Sequence, residues 1–269
     1  MKGMLLMTLG VLLVLAVVAC GCTDSATGPE LTAPFDEGYR ANEKTVLAVE
    51  NPCGPVTITR GDVKEVVLHA VKRTRAGEEE LEKVEITGTK GSLLKIRARW
   101  TTVLPPRVTV DMAITVPPYV TVDAVTVSNG DVRIDGVAGD VAVSCFNCDV
   151  LITNMSGSVT AAVENGNITV RDTTGTGDLT VRNGWIDAEV RSVRGNVAIE
   201  AKNGNITLAL GPALNAALAV TTKNGAVSVE GLPLEVTAAT MTAVDGVLGA
   251  GGPVIAVDAT SGDVHITSL

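Results

Sequence analysis

A short turn motif recurs through the second half of the chain at a nearly constant interval. In most copies asparagine and glycine are followed by one variable residue and then by Val or Ile. Asn and Gly both tolerate the left-handed backbone conformations that tight turns require. The motif asparagines, spaced 18, 18, 18, 20 and 21 residues apart, are Asn129, Asn147, Asn165, Asn183, Asn203 and Asn224. Asp245-Gly246 and Ser261-Gly262 extend the series, and glycine turns half-way between the copies divide each rung of 18–21 residues into two units.

Apolar and polar residues alternate after each turn, as where Val132 and Ile134 flank Arg133. A period of two directs one face of a strand inward and the other outward. A strand with one apolar face cannot bury that face alone, so successive rungs must stack into a continuous core. The pattern predicts an all-β fold, a single-stranded β-solenoid. Hairpins folded into a sandwich are the alternative, but stacked rungs must be nearly equal in length, and the regular spacing favours the solenoid.

The composition indicates an aliphatic core, because 46% of the residues are hydrophobic but only 2% are aromatic. Val, Ile, Leu and Ala must therefore fill the interior, and β-branched residues suit a pleated surface. The six motif asparagines would occupy matching corners of the stack. Their side chains can form a hydrogen-bonded ladder there, which is a structural role and not a catalytic one.

The chain before the repeat is less regular. Alternating patterns predict strands at 45–50, 56–59, 66–72, 81–87, 93–100, 107–116 and 120–127. The charged segment 76–84 is predicted as a helical turn or an exposed hairpin tip. We assign residues 40–269 to one solenoid domain, in which 40–127 form an irregular start and 128–269 the regular repeats. The final strand, within 261–269, would leave an unpaired edge unless a neighbouring loop or another chain covers it.

The N-terminal segment has the pattern of a secretion signal. Lys2 precedes an apolar run from Met4 to Ala19, which is shorter than the roughly 20 residues of a spanning helix. The run ends in Ala19-Cys20, a small residue and a cysteine that resemble the lipobox of prokaryotic lipoproteins. This resemblance implies that residues 1–20 are a lipoprotein signal peptide and that Cys20 carries the lipid. The alternative is an uncleaved membrane anchor, and both interpretations place the following residues outside the cytoplasm.

Residues 21–39 are rich in Gly, Pro, Ser, Thr and Asp, without periodicity. They predict a flexible tether between the membrane and the folded body. The formal net charge of −9 should repel nucleic acid and anionic headgroups, so nucleic acid is excluded as a partner.

Residues 40–269 resemble a family of candidate adhesins found as surface and membrane-linked proteins of prokaryotes. The resemblance rests on a first strand-turn copy at 49–58, on Ile114-Thr115-Val116-Pro117 leading into 125–132, and on the recurring Asn-Gly turns. It implies a right-handed β-helix, and it brings no catalytic residues or cofactors. Cys148 departs from the family pattern because it stands where the family has Gly.

Cys145 and Cys148 form a C-x-x-C motif at a predicted strand-to-turn junction. Redox sites usually place this motif at a helix N-terminus, and a zinc site would need two further ligands from a chain with only two histidines. A disulfide, two free thiols, and a metal or redox site all remain open. Cys22 and Cys53 have no obvious partners, although a link between them is another option.

Acidic residues follow glycine in several turns, among them Asp131, Asp140 and Asp263, and Asp149 follows Cys148 in the equivalent place. They suggest calcium ligands, but the double-glycine pattern of calcium-binding nonapeptides is missing and Asn replaces Asp in other copies. Turn chemistry accounts for these residues without a metal. We therefore expect neither a metal nor a cofactor.

The leading hypothesis is a lipid-anchored cell-surface β-solenoid protein that acts in adhesion or surface interaction. Its partners would be the membrane, through the N-terminal lipid, and a protein or glycan that the sequence does not identify. It also leaves the oligomeric state open. The alternatives are an envelope-associated scaffolding or regulatory lipoprotein and a β-helix carbohydrate-active enzyme. An outward strip of Asp or Glu beside a groove would favour the enzyme.

Replacing Cys20 with serine is expected to abolish lipid labelling, because serine lacks the sulfur to which the lipobox resemblance assigns the lipid. Labelling of expressing cells with a radioactive fatty acid, followed by immunoprecipitation, measures this. The matched control is Cys22→Ser, which should keep the label. Label retained on Cys20→Ser would contradict the assignment.

Overall fold

A computed structural model describes residues 28–89 and 91–269. These residues form 23 strands and one short helix, α1 (Glu78–Glu82). In chain order the strands are β1 (Leu31–Arg40), β2 (Val46–Cys53), β3 (Val56–Arg60), β4 (Glu65–Thr74), β5 (Val84–Gly88), β6 (Leu93–Trp100), β7 (Thr109–Val116), β8 (Thr121–Asn129), β9 (Val132–Asp135), β10 (Val141–Asn147), β11 (Val150–Thr153), β12 (Ser158–Asn165), β13 (Ile168–Arg171), β14 (Gly175–Asn183), β15 (Ile186–Val190), β16 (Val197–Asn203), β17 (Ile206–Leu210), β18 (Ala216–Asn224), β19 (Val227–Glu230), β20 (Leu234–Ala239), β21 (Ala243–Leu248), β22 (Val254–Ser261) and β23 (Val264–Ser268).

Two long sheets contain these strands. Sheet A has eleven strands in the order β1-β4-β7-β3-β9-β11-β13-β15-β17-β23-β19. Sheet B has twelve in the order β20-β21-β18-β22-β16-β14-β12-β10-β8-β2-β6-β5. Each regular rung crosses sheet B, turns at the motif corner and returns through sheet A. The strands of successive rungs pair in parallel, with Asn147 opposite both Asn129 and Asn165. The predicted β-solenoid is confirmed.

The core lies between the two sheets and is built from the inward positions of the alternating pattern. Ile134 and Ile152 stand at the same register on neighbouring strands, and neither is accessible to solvent. A fully buried aliphatic side chain contributes about 1.5–3 kcal/mol relative to an exposed one. Because each rung repeats the pattern of its neighbours, inward side chains pack on those of the rungs above and below, as the sequence predicts.

The last two rungs stack in the reverse of their chain order. The rung formed by β22 and β23 lies between β16/β17 and β18/β19, so β23 pairs in parallel with β17 on one side and β19 on the other. The expectation that the final strand needs cover from a loop or another chain is therefore wrong. Asp245-Gly246 is not a turn copy either. It lies within β21, which pairs antiparallel with β18 and helps return the chain to the stack.

The start of the fold also departs from prediction, because part of the predicted tether is a strand. Leu31–Arg40 pairs antiparallel with β4 along its whole length. Leu31 and Phe35 pack against the core, and Pro34 is tolerated because β1 is an edge strand. The β fold therefore includes Leu31–Arg40, which the prediction assigned to the tether. β2 and β3 form a first rung that pairs directly with β8 and β9, so 40–127 belong to the same two sheets.

Glycine at the motif corner allows successive backbones to approach closely. A Cβ atom on Gly204, whose φ is +147°, would collide with the carbonyl oxygen of Gly184. The same collision would arise between Gly184 and Gly166, and between Gly262 and Gly204. Glycine is therefore needed here both for its backbone conformation and for the space that it leaves.

Gly204→Ala is expected to lower the free energy of unfolding by about 2–4 kcal/mol, because it combines a strained backbone conformation with a collision between rungs. Gly195→Ala is the matched control, since a Cβ there meets no atom within 4 Å. The control should lie within about 0.5 kcal/mol of wild type in urea denaturation. Equal destabilisation by the two substitutions would show that corner stacking is not the cause.

Candidate functional site

Five of the six motif asparagines form a continuous ladder along one corner of the solenoid. The Nδ2 atom of each later member donates to the Oδ1 atom of the one before it, over 2.5–2.9 Å, in the series Asn129, Asn147, Asn165, Asn183 and Asn203. An asparagine side chain can donate one hydrogen bond and accept another at the same time, so each interior member of the series bonds to both of its neighbours. The ladder joins successive rungs and leaves these amides committed to the fold.

Asn224 lies outside this ladder, contrary to the prediction. The rung of β22 and β23 separates it from Asn203, and Ser261 occupies the intervening register position. The Asn224 amide donates instead to the carbonyl oxygen of Thr260, at 3.2 Å. The ladder ends where the stacking order departs from the chain order.

An Asp or Asn two positions after the motif asparagine accepts a hydrogen bond from the next rung. The backbone N–H of Asn167 donates to Asp149 Oδ1 at 2.9 Å, and the N–H of Trp185 donates to Asn167 Oδ1 at 3.0 Å. Asp and Asn both serve this role, whereas Trp185 at the same position has no side-chain acceptor. Within the described residues no cluster of His, Cys, Asp and Glu could hold a metal ion.

The half-way corners use the same arrangement. Asp140 Oδ1 accepts the backbone N–H of Ser158 at 2.8 Å, and Asp140 Oδ2 accepts from Arg194 at 2.6 Å. The Ser158 N–H first, and then Arg194, lower the pKa of the Asp140 carboxyl below its ordinary value of 3.8. The equivalent oxygen of Asn196 accepts the N–H of Val254, at 2.9 Å.

Cys145 and Cys148 are joined by a disulfide, with their Cα atoms 6.2 Å apart. Both side chains are buried in the core. While this disulfide is intact, neither sulfur is a thiolate that could bind a metal. The suggested link between Cys22 and Cys53 involves a residue outside the described range, and Cys53 itself is buried at the end of β2.

The main candidate site is a groove of about 590 Å³ on the outer face of sheet B. It crosses β10, β12, β14, β16 and β22, which together span roughly 19 Å at the usual strand spacing. Two outward rows line this groove, which we call the sheet B groove. The first row contains Ser144, Ala162, Thr180, Glu200 and Asp258, and the second contains Phe146, Glu164, Arg182, Lys202 and Thr260.

The first row begins with small side chains and ends with two carboxylates. Ser144, Ala162 and Thr180 stand opposite one another on successive strands. Glu200 and Asp258 also face each other across β16 and β22. No sequence motif marks these residues, although their positions before the motif asparagines recur at nearly the same spacing as the turns.

The second row consists mainly of longer polar side chains. Arg182 Nε lies 2.8 Å from Glu164 Oε1, and Lys202 follows on the next strand. In the first row, Asp258 Oδ2 accepts from Thr221 Oγ1 at 2.7 Å. The groove therefore offers hydroxyls, cations and carboxylates to a polar partner, with Phe146 as its only aromatic lining residue.

Cys20 and the tether residues 21–27 lie outside the described range, so the lipid site stays a prediction. In the part of the chain that the structure describes, no helix has the length and apolar character needed to cross a membrane.

Comparison with known proteins identifies a family. The family model described as Toastrack DUF4097 matches residues 47–267. A search of curated proteins finds no match. One similar solved structure is a candidate cell adhesion protein from Clostridium sporogenes, at 12% identity, with a TM-score of 0.36, over 90% of this chain and 100% of that chain. Another is a candidate adhesin from Bacteroides fragilis, at 14% identity, with a TM-score of 0.45, over 88% of this chain and 97% of that chain.

Asp140→Asn is expected to destabilise the protein at pH 7 and to have little effect near pH 2. The lowered pKa means that ionised Asp140 stabilises the fold above pH 3.8, and that this stability is lost as the pH falls through the folded-state value. Because the site is exposed, the loss at pH 7 should not exceed about 1 kcal/mol. Urea midpoints at both pH values measure the difference.

The control for this experiment is Asp123→Asn, an exposed acid on β8. It should lower the urea midpoint at pH 7 by less than Asp140→Asn does. A loss of stability in Asp140→Asn that does not depend on pH would contradict the role assigned to the carboxylate.

Proposed function

The chain belongs to the Toastrack DUF4097 family, and we propose that it is a lipid-anchored cell-surface interaction protein without catalytic activity. The observation that carries this proposal is the sheet B groove, which combines small and polar side chains over five strands. The partner would be an extended polar chain, either a glycan or a segment of another protein. The signal-peptide pattern ending at Cys20 supports the anchor and the location outside the cytoplasm.

The dimensions of the groove support an extended partner. A length of roughly 19 Å accommodates several units of a linear polymer lying along the stack. Thr180 and Ser144 offer hydroxyls at its base, while Arg182 and Lys202 offer cationic donors beside them. Recognition here would depend on hydrogen bonds and charge and not on a large apolar contact, since only one aromatic side chain lines the groove.

The pair of carboxylates in the groove supports a second candidate function. Glu200 and Asp258 stand opposite each other on adjacent strands, and retaining glycosidases use two carboxyl groups about 5–5.5 Å apart. A β-helix carbohydrate-active enzyme would use such a pair as nucleophile and acid/base. Glu200→Gln would then abolish turnover of a bound glycan while leaving its binding, whereas our proposal expects no turnover by the wild-type protein.

Ala162→Trp is expected to reduce partner binding at least tenfold, because Ala162 is exposed in the middle of the groove and an indole would fill it. The measurement is binding of the full-length protein in detergent to immobilised polysaccharides and extracellular matrix proteins. Ala113→Trp is the matched control, since Ala113 is also an exposed strand residue but lies on sheet A. It should bind as wild type does.

The results separate the hypotheses. Binding that is lost equally in both variants, or kept in both, would exclude the groove as the site. A wild-type protein that binds none of these probes but binds another protein of the cell envelope would favour the scaffolding or regulatory alternative.

A further inference from the structure

The loop between β6 and β7, residues 101–107, presents two apolar side chains to solvent. Val103 is 99% exposed and Leu104 is 79% exposed. Soluble surfaces tolerate single exposed aliphatic residues, but two adjacent ones at the tip of a loop mark a site that contacts an apolar phase. We call this segment the apolar loop.

The base of the apolar loop is fixed to the folded body. The Thr101 N–H donates to the carbonyl oxygen of Lys83 at 2.9 Å. At the other end, the Arg107 N–H donates to Glu80 Oε2 at 3.0 Å, and the carbonyl oxygen of Arg107 accepts from Thr74 Oγ1 at 2.6 Å. The loop therefore leaves the body in a defined direction.

Its tip is also constrained. Thr102 Oγ1 donates to the carbonyl oxygen of Leu104 at 2.8 Å. Pro105 and Pro106 follow, and their rings fix φ and favour an extended backbone. These constraints hold Val103 and Leu104 away from the core.

The apolar loop lies beside the point where the described chain begins. Leu31 is paired with Thr74, and the backbone at Gly28 lies against the carbonyl oxygen of Arg75. Cys20 is only eight residues before Gly28, a separation that spans at most about 28 Å. An anchor at Cys20 would therefore hold this side of the body close to the bilayer.

The two parts of the described chain differ in charge. Residues 28–107 contain thirteen Lys and Arg against twelve Asp and Glu, while 108–269 contain seven against seventeen. Anionic headgroups therefore repel the second part strongly and the part that carries the apolar loop hardly at all.

We propose that the apolar loop inserts Val103 and Leu104 into the membrane leaflet that carries the protein's own lipid anchor. This contact rests on the proposed anchoring at Cys20. It would fix the orientation of the body at the membrane by adding a second point of attachment to the lipid anchor.

The test uses the full-length lipidated protein in vesicles of phosphatidylcholine and phosphatidylglycerol. One set of vesicles has brominated acyl chains, which quench tryptophan fluorescence, and the other set does not. The variant Leu104→Trp places a tryptophan in the apolar loop. The matched control is Met241→Trp, because Met241 is 83% exposed and lies in the connection between β20 and β21, beyond the last rung. After subtraction of the wild-type emission, brominated lipid should quench the residue-104 signal at least twofold more than the residue-241 signal.

Vesicle flotation of the same samples distinguishes failure of the lipid anchor from failure of loop insertion. Protein that floats with the vesicles but shows equal quenching at the two positions keeps its anchor and overturns loop insertion. Protein that does not float overturns both the anchor and the insertion that depends on it.

Discussion

The close approach of successive backbones at the motif corner sets the register of the entire stack. At Gly166, Gly184 and Gly204 the absence of a side chain leaves room for a backbone carbonyl group of the neighbouring rung. A Cβ atom at any of these positions would collide with that carbonyl oxygen. Once that contact is made, the strands that enter and leave the corner must pair in register in both sheets. The asparagine before each glycine then bonds to the neighbouring rung, and so does the residue after the glycine where it is Asp or Asn, as at Asn167. One short motif thus determines register and satisfies its own polar groups.

Local chemistry explains why the regular rungs could be predicted from the sequence. Turn residues and a period of two specify β8 to β17 without reference to distant parts of the chain. The order of the last rungs could not be predicted, because β22/β23 and β18/β19 carry the same pattern and nothing local selects their neighbours. β1 was missed for a related reason. Pro34 and the acidic residues after it resemble a tether, and the strand depends on pairing with β4.

Less of the candidate site than of the fold could be predicted from the sequence. Five members of the asparagine ladder follow from the turn spacing alone, but Asn224 depends on which rung lies beneath it. The sheet B groove joins strands from β10 to β22, and only stacking brings Ser144 and Asp258 to one surface. The family resemblance seen in the sequence is confirmed by the match over 47–267, yet it assigns no residue to this groove.

The solenoid leaves few positions free for function. Inward residues are needed for the core, and corner residues are needed for register, so variation can accumulate only in the outward rows and in segments that leave the stack. The outward row of sheet B changes from Ala162 to Thr180 and then to Glu200, while the backbones at these positions stay paired in parallel. Recognition by such a protein should therefore be encoded along the stack, through the outward residues that each rung contributes. A glycan or peptide aligned with the stack would meet a series of independent contacts, and changing a single rung would alter one contact while leaving the fold intact.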